Sequence, residues 1–326
     1  MRKIQILLTT LVSASLFAQS YPPAAGQEGS TAIAHDDELF VAWANDVEIE
    51  RGFINIANPE QEDQGSNYAS FGEDVAALGI ADGTVVSLGD AGTAVLTFEK
   101  PIANGSGFDF AVFENGFSDT FLELAFVEVS SDGVHFFRFP AHSETQAETQ
   151  IGGFGTIDPT YLNNFAGKYK AMFGTPFDLD DLEDDPLLDK NQITHVKLVD
   201  VVGSIDPEFA TYDAFGNAVN DPFPTPFWSS GFDLDAVGVI HEASMNVGDL
   251  EPIKFKIYPN PTTDFFQIQT QESNLKVEIF SANGQLVLEN QFIQNEKIDV
   301  SGLPKGIYFI KVISNKQTTL HKLIKQ

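Results

Sequence analysis

Two aspartates, Asp233 and Asp235, lie in an otherwise apolar segment between Phe232 and His241. Alternate side chains of a β-strand point to one face, so the spacing predicts that both carboxylates emerge together. Carboxylates beside an apolar core need partners, and Ca²⁺ binds oxygen ligands of this kind. The hypothesis is a calcium site whose further ligands are Asp109, Glu114 and Asn115. The alternative is that the two aspartates accept hydrogen bonds from backbone groups at the end of a loop.

A second candidate site is the stretch from Asp221 to Trp228, in which every second residue from 222 to 226 is proline. Proline fixes its backbone angle, so this loop is expected to be stiff. On an exposed rim, the aromatic side chains of Phe223, Phe227 and Trp228 would form a surface on which a ligand can stack. The alternative is that these aromatic residues pack inward.

Catalytic motifs of fixed spacing are absent from the sequence. It contains no G-x-S-x-G, no H-E-x-x-H and no cysteine nucleophile. The hypothesis of a catalytic carboxylate pair, as in glycosidases, stays open. Acidic residues are numerous, and their separation in space cannot be read from the sequence. The sequence therefore favours a protein that is not an enzyme and keeps a hydrolase as the alternative.

The charge of the chain is concentrated in one region. The 326 residues carry a net charge of −29. Residues 19–250 hold 7 basic and 40 acidic residues, a net charge of −33. Such a field repels nucleic acid and anionic membrane surfaces, so neither is an expected partner. The chain has no cysteine, so an exported form must be stabilised by its core or by a bound metal rather than by disulfides.

The elements that would position these residues are predicted to be β-strands. Short segments rich in Val and Phe, such as Phe108 to Phe113 and Ile193 to Val201, alternate with turns that contain Gly and Asp. Helical periodicity is nearly absent. This pattern is typical of an all-β sandwich or jelly roll. The predicted fold class is all-β, with a large jelly-roll-like β-sandwich followed by a small Ig-like β-sandwich.

The N-terminal segment has the pattern of a secretory signal peptide. Arg2 and Lys3 precede an apolar stretch from Ile4 to Phe17, and Ala18 is the small residue expected before a cleavage site. The prediction is cleavage near Ala18, with no transmembrane segment in the mature chain. Residues 19–246, called the passenger below, then form the large β domain.

The boundary between the two domains is predicted at residues 247–252, within a short segment that carries Asn246, Asp249 and Glu251 and ends in Pro252. Residues 253–326 form the second domain. Its motifs follow in order: Tyr258-Pro259-Asn260-Pro261, an Asn-Gly turn at 283–284, the pattern L-x-x-G-x-Y-x-x-x-V from Leu303 to Val312, and a basic tail.

This ordered set resembles the type A C-terminal sorting domain of the type IX secretion system. The resemblance implies that the chain is secreted or displayed on the outer-membrane surface, with the type IX machinery as its partner. It also implies a role in the sorting signal for Tyr258, Pro259, Asn260, Pro261, Gly306, Tyr308, Lys322 and Lys325.

The passenger resembles a family of bacterial cell-surface proteins without assigned activity, through Phe113 to Phe117, Val127 to Phe136 and Gly231 to Val237. At the level of the fold it is similar to discoidin-type and carbohydrate-binding jelly rolls. Neither resemblance assigns an activity. Together with the candidate sites above, the expectation is a calcium-stabilised module that binds a glycan or another surface ligand. The alternatives are a polysaccharide-acting hydrolase and a structural or adhesive surface protein.

Overall fold

A computed structural model describes residues 21–243, 255–270, 275–292, 297–313 and 318–326. The chain divides into two compact units, Met1–Ser244 and Met245–Gln326. The predicted signal peptide and the predicted linker at 247–252 lie outside the described residues.

The N-terminal unit is built from short strands. In chain order they are β1 (Ile33–Ala34), β2 (Ala42–Trp43), β3 (Asp46–Glu50), β4 (Val86–Ser87), β5 (Thr93–Ile102), β6 (Phe110–Glu114), β7 (Ala125–Ser130), β8 (Phe137–Arg138), β9 (His142–Ser143), β10 (Leu162–Asn163), β11 (Phe173–Phe177), β12 (Ile193–Asp200) and β13 (Asp233–Val239). Three single-turn 3₁₀ helices lie between them, at Asp74–Ala77, Pro159–Tyr161 and Leu179–Asp181.

These strands form two antiparallel sheets and a small two-stranded one. The first sheet has the order β1-β11-β6-β13-β2, with β4 also paired to β13. The second has the order β3-β5-β12-β7-β8, and β9 pairs with β10. None of the described residues belongs to an α-helix. The predicted all-β fold is confirmed.

The core lies between the two sheets. It is formed by branched side chains such as Leu96, Val127 and Leu198 from one sheet and Val112 and Val237 from the other, all of them buried. Each fully buried side chain of this kind contributes roughly 1.5–3 kcal/mol to the free energy of unfolding. The alternating burial along β12 follows from the period of two in its sequence.

The first sheet is covered on its outer face as well. Phe40 and Trp43 pack there with their ring centroids 4.9 Å apart, and both contact Phe113 of β6. Every residue of β6 and β13 is therefore buried. The acidic residues at the ends of these two strands are consequently removed from water.

The C-terminal unit is a small sandwich. Its strands are β14 (Phe255–Tyr258), β15 (Phe265–Thr270), β16 (Leu275–Ser281), β17 (Leu286–Phe292), β18 (Lys297–Asp299), β19 (Gly306–Ile313) and β20 (Thr318–Lys325). They form the sheets β14-β15-β18 and β17-β16-β19-β20. Phe266, Val277, Ile279, Ile310 and Leu323 are buried in its core. The unit fits the predicted Ig-like sandwich. In the described part of the chain, no helix is long and apolar enough to cross a membrane.

Candidate functional site

Asp235 fastens a loop to β13. It is buried, and its two carboxylate oxygens accept hydrogen bonds from the backbone N–H groups of Asp82 at 3.1 Å and Gly83 at 3.0 Å. Asp82 and Gly83 precede β4, so the carboxylate holds this loop against the sheet. This is the geometry expected if Asp235 is not a calcium ligand but accepts hydrogen bonds from backbone groups at the end of a loop.

Asp109 has a similar role at the start of β6. It is fully buried and accepts hydrogen bonds from the backbone N–H groups of Gly105 at 2.7 Å and Leu179 at 2.8 Å. Nδ1 of His241 lies 2.9 Å from the same carboxylate. Three separate segments of the chain thus supply the hydrogen-bond partners of Asp109. None of these partners is another of the predicted calcium ligands.

Asp233, Glu114 and Asn115 are brought together. Asp233 accepts hydrogen bonds from the Ser87 hydroxyl and the Asn115 side chain, and the charge of Asp233 acts on Glu114. Oε2 of Glu114 accepts a hydrogen bond from the backbone N–H of Gly116 at 2.7 Å, whereas the buried Oε1 has no partner. Three of the five predicted calcium ligands therefore share one location. No group of three or more acidic or histidine side chains within the described ranges is arranged to hold a metal ion.

Six carboxylates converge on this region through the fold, and we call them the acidic cluster: Asp90, Glu114, Glu123, Asp200, Asp221 and Asp233. Five are buried and Glu123 is half-buried. Sequence reasoning identified only Glu114 and Asp233. The other four are spread over more than a hundred positions; the one local signal is an acidic residue at a glycine turn or strand end, as at Gly89-Asp90 and Asp200.

Burial is the main cause of the unusual titration of the acidic cluster. It raises the pKa of Asp90 to about 7 and that of Asp233 to about 6. The pKa values of Glu114 and Glu123 are raised well above their usual range, first by burial and then by the charge of Asp233. Both effects disfavour the ionised form. Arg51 adds a positive charge that lowers the pKa of Asp233.

Hydrogen bonds from backbone N–H groups tie the cluster to surrounding loops. Ile56 donates to Asp90 at 2.7 Å, and Leu124 donates to Oδ2 of Asp221 at 2.8 Å. Oδ1 of Asp221 is buried without a partner. The cluster therefore holds loop ends in place while leaving some of its acceptor capacity unused.

The proline-rich stretch is divided between core and surface. Phe223 is buried, whereas Phe227 and Trp228 are 40% and 37% exposed. The ring of Phe227 lies 5.6 Å from that of Phe154, which is 79% exposed. Trp228 contacts Phe71 edge-on at 5.0 Å. Two of the three predicted ligand-binding aromatics thus lie at the surface, and Phe154 joins them; sequence reasoning missed Phe154, which follows two glycines.

A groove of about 760 Å³ lies beside the loop that carries Phe154. It is lined by residues 23, 24 and 27, by 119–120 and 144–146, and by 151 and 156–161. Phe154 does not line the groove itself; it lies in the loop between Ile151 and Thr156, which do. The backbone N–H of Phe223 donates to Ile151 O at 3.0 Å. The groove and the proline-rich loop are therefore attached to each other.

Residues assigned to the sorting signal meet in the C-terminal unit. Asn260 donates to the backbone oxygen of Lys322 at 2.8 Å, and its Oδ1 accepts from the backbone N–H of Ile324 at 2.9 Å. Gly306 pairs with Lys325 in the β19–β20 ladder. Tyr308 is buried, and its hydroxyl donates to Pro304 O at 2.8 Å. The motif at 258–261 is thus hydrogen-bonded to the basic tail. Tyr258 and Pro261 remain exposed.

Comparison with known proteins supports the assignment of this unit. Residues 256–326 match the family model of the secretion system C-terminal sorting domain. β-Agarase A from Zobellia galactanivorans is 30% identical to the chain over 128 residues, which are 38% of this chain and 22% of the agarase. The chain therefore spans less than a quarter of the length of that relative.

Solved structures give weaker similarities. PorZ of Porphyromonas gingivalis, described as a surface component of the type-IX secretion system, matches with 16% identity and a TM-score of 0.21, over 28% of this chain and 14% of PorZ. β-Glucuronidase from Ruminococcus gnavus matches with 11% identity and a TM-score of 0.20, over 72% of this chain and 36% of the enzyme. No conclusion about the fold or function of either unit follows from TM-scores this low.

The family match and the motifs agree. The match begins two residues before Tyr258 and includes every residue that the resemblance assigns to the sorting signal. Residues 256–326 are therefore a C-terminal sorting domain of the type IX secretion system, and the chain is a secreted or cell-surface protein.

Proposed function

We propose that the passenger is a glycan-binding module that works outside the cell. The observation that carries this proposal is the exposed aromatic surface of Phe154, Phe227 and Trp228 beside a preformed groove. Aromatic faces bind the C–H faces of sugar rings, and few polar groups then suffice to fix orientation. An exposed aromatic surface is costly to keep in water, so it indicates a binding role.

Two further observations support this proposal. The sorting domain delivers the passenger to a place where polymers are accessible. The relative with 30% identity is named for an activity on agar, a polysaccharide. That name is consistent with a carbohydrate-related passenger, although the shared segment is a minor part of the agarase.

Calcium is proposed as a structural ion of the passenger, held by Asp233, Glu114 and Asn115. Support comes from the unpartnered Oε1 of Glu114 and from the mutual repulsion of the two carboxylates. A hard divalent cation with oxygen ligands relieves both. Asp109 and Asp235 are left out of this proposal because their oxygens are occupied by backbone N–H groups and, for Asp109, by His241.

The second candidate function is hydrolysis of a polysaccharide, and Glu123 favours it. This carboxyl is half-buried, its pKa is raised well above the usual range, and its neighbours are carboxylates. A proton-bearing acid beside an ionised carboxylate is the arrangement that glycosidases use. Release of reducing ends from a bound polymer, abolished by Glu123→Gln, would establish this function instead of simple binding.

The test of the proposed function is a glycan array probed with the mature full-length protein, followed by titration of any hit. We expect binding that is weakened at least about tenfold in a double variant, Phe227→Ala with Trp228→Ala, since each removes stacking area. Tyr212→Ala is the matched control, because Tyr212 is an exposed aromatic residue that belongs neither to the proline-rich stretch nor to the lining of the groove. A folded protein that binds no glycan would favour the structural or adhesive alternative.

A further inference from the structure

The groove beside the aromatic surface has the size and rigidity of a ligand site. Its volume of about 760 Å³ lies within the range of roughly 300–1,000 Å³ typical of such sites. Backbone hydrogen bonds join its walls: Ile157 donates to Thr120 O at 2.8 Å, and Glu144 donates to Tyr161 O at 2.8 Å. Ile157 is also buried in the hydrophobic cluster beneath the groove. A groove fixed in this way requires little ordering when a ligand binds.

The charges that line the groove are all of one sign. Asp119, Glu144 and Asp158 are acidic, and none of the lining residues is Lys, Arg or His. The rest of the passenger is also strongly acidic. A polymer that carries sulfate or carboxylate groups would meet like charge both at long range and inside the groove.

Two of these three carboxylates are already engaged. Asp119 forms an ion pair with Lys170 at 2.8 Å. Oδ1 of Asp158 accepts hydrogen bonds from the backbone N–H and the hydroxyl of Thr160 at 2.9 and 2.7 Å. The side-chain carboxylate of Glu144 forms no hydrogen bond or ion pair with the described residues, although its backbone N–H donates to Tyr161 O. One free carboxylate is enough to disfavour the binding of an anionic polymer. A single negative charge is not enough to select a polycation.

The other polar side chains in the groove are uncharged. The Gln146 amide is bonded to the backbone of Glu148 and Thr149, and the Thr160 hydroxyl to Asp158. The rest are the amide of Gln27 and the hydroxyls of Thr120, Thr145, Thr156 and Tyr161. Such groups both donate and accept hydrogen bonds, as sugar hydroxyls do. Oγ1 of Thr145 is buried at the groove without a hydrogen-bond partner, so a ligand hydroxyl that reaches it would satisfy a group that is otherwise unpaired.

Exposed aromatic residues lie next to two of the lining segments in the chain, but they do not themselves line the groove. Phe154 lies in the loop between Ile151 and Thr156. Phe117 and Phe121 flank the 119–120 segment with their ring centroids 5.7 Å apart, and Phe117 is 82% exposed. A chain of sugar rings lying along the groove would therefore find apolar faces beyond its polar middle.

We propose that this groove binds a neutral polysaccharide and rejects polymers that carry sulfate or carboxylate groups. The inference rests on the proposed glycan-binding function and names the site and the ligand class. The binding step is noncovalent, and its selectivity arises from the single free carboxylate of Glu144 within an uncharged hydrogen-bonding surface.

The experiment measures binding of the mature full-length protein to agarose oligosaccharides, to carrageenan oligosaccharides of equal length and to chitosan oligosaccharides, by calorimetry at low and high salt. We expect the sulfated galactan to bind at least about tenfold more weakly than the neutral one at low salt. Added salt should reduce that difference, because it screens charge repulsion.

Variants locate the site. Glu144→Lys should narrow the difference between neutral and sulfated galactan, whereas Glu148→Lys, on the same loop but outside the groove, should change it less. Thr145→Val should weaken binding of the neutral ligand. Circular dichroism of each variant checks that it folds.

The outcomes separate the two proposals. Equal or tighter binding of carrageenan or chitosan would overturn the inference and leave glycan binding standing. Neutral binding that is unaffected by Thr145→Val, together with a neutral–sulfated difference that is unaffected by Glu144→Lys, would place the ligand elsewhere and also overturn it. Binding of no glycan by the folded protein would remove the proposed function and this inference together.

Discussion

The carboxylate of Asp200 connects the two sheets of the N-terminal unit through the backbone of Phe232. Asp200 ends β12, and its Oδ1 accepts a hydrogen bond from the N–H of Phe232, directly before β13, at 2.7 Å. Its Oδ2 accepts from the N–H of Ala91 at 3.0 Å. Both Asp200 and Phe232 are buried, so this contact is protected from water and fixes where β13 begins.

Gly231 is required by this contact. Its φ is +72°, and a Cβ there would lie 2.7 Å from Oδ1 of Asp200 and 2.8 Å from the backbone of Gly89. We expect Gly231→Ala to lower the free energy of unfolding by about 3 kcal/mol, of which about 1 kcal/mol is backbone strain. Gly216→Ala is the control: its φ is +83°, but its Cβ would meet nothing within 4 Å. Equal losses in urea titrations of both variants would contradict the steric argument.

The acidic cluster should make the passenger more stable in mild acid than at neutral pH. A carboxyl whose pKa is higher in the folded than in the unfolded state binds more protons when folded, so its contribution is lost as pH rises through the folded pKa. For Asp90 this window runs from 3.8 to about 7, which corresponds to about 4 kcal/mol. We expect the melting temperature to fall from pH 5 to pH 8 in the presence of a chelator.

Asp90→Asn tests which group is responsible for that pH dependence. The amide oxygen can still accept the hydrogen bond from Ile56, but it does not ionise. The variant should therefore lose part of the pH dependence and gain stability at pH 8 relative to the parent. An exposed carboxylate, Asp206→Asn, serves as the control. A melting temperature that is constant between pH 5 and pH 8 would show that the cluster is neutralised in some other way.

Calcium should stabilise the passenger at neutral pH. Binding to the folded state alone adds about 2.7 kcal/mol to the free energy of unfolding at a hundredfold excess over Kd. We expect EGTA to lower the melting temperature of the full-length protein and Asp233→Asn to remove that response. Asp235→Asn should lower the starting stability while leaving the response to calcium in place. Melting curves indifferent to both calcium and EGTA would remove the metal from the proposal.

Export should depend on the C-terminal unit. A chain that lacks residues 253–326 is expected to remain in the periplasm, because it keeps its predicted signal peptide and loses its sorting domain. Fractionation and immunoblotting give the location of the product. The matched control attaches residues 253–326 to an unrelated periplasmic protein, which should then reach the surface or the medium. Normal export of the truncated chain would contradict this dependence.

The predicted linker at residues 247–252 should be the first site of cleavage in limited proteolysis, because short polar segments between domains are accessible. Mass spectrometry of the earliest fragments locates the cut. A first cut within a strand of either sandwich would place the boundary elsewhere.

Local patterns predicted the fold class well and the candidate site only in part. The alternation of apolar and polar residues in the sequence predicts β12. It does not predict β11, because that strand contains Gly174 and Pro176. Pro176 is tolerated there since β1 pairs only with the first two residues of β11, which leaves the rest of that edge free. Along β13, a register shift between Leu234 and Ala236 interrupts the expected alternation at Asp235. Its carboxylate accordingly bonds to a different segment from that of Asp233.

The acidic cluster could not be predicted because its members are joined only by topology. Asp90, Glu123 and Asp221 lie in loops far apart in the sequence. They come together because β6 pairs with β13 in one sheet and β12 pairs with β5 and β7 in the other. The orientation of the aromatic residues in the proline-rich stretch could not be predicted from the sequence either. Proline spacing indicates a stiff loop, whereas the packing of its neighbours decides that Phe223 points inward and Phe227 outward.

The way in which the loops are fastened has a consequence for when the passenger can fold. Asp109, Asp200 and Asp235 attach loops through backbone N–H groups, and the chain has no cysteine. These attachments need no oxidation, so a reducing cytoplasm offers no chemical obstacle to folding. If the passenger must stay unfolded until it has crossed the inner membrane, the reducing cytoplasm does not by itself delay its folding. Rapid export or a chaperone would then have to prevent folding before export.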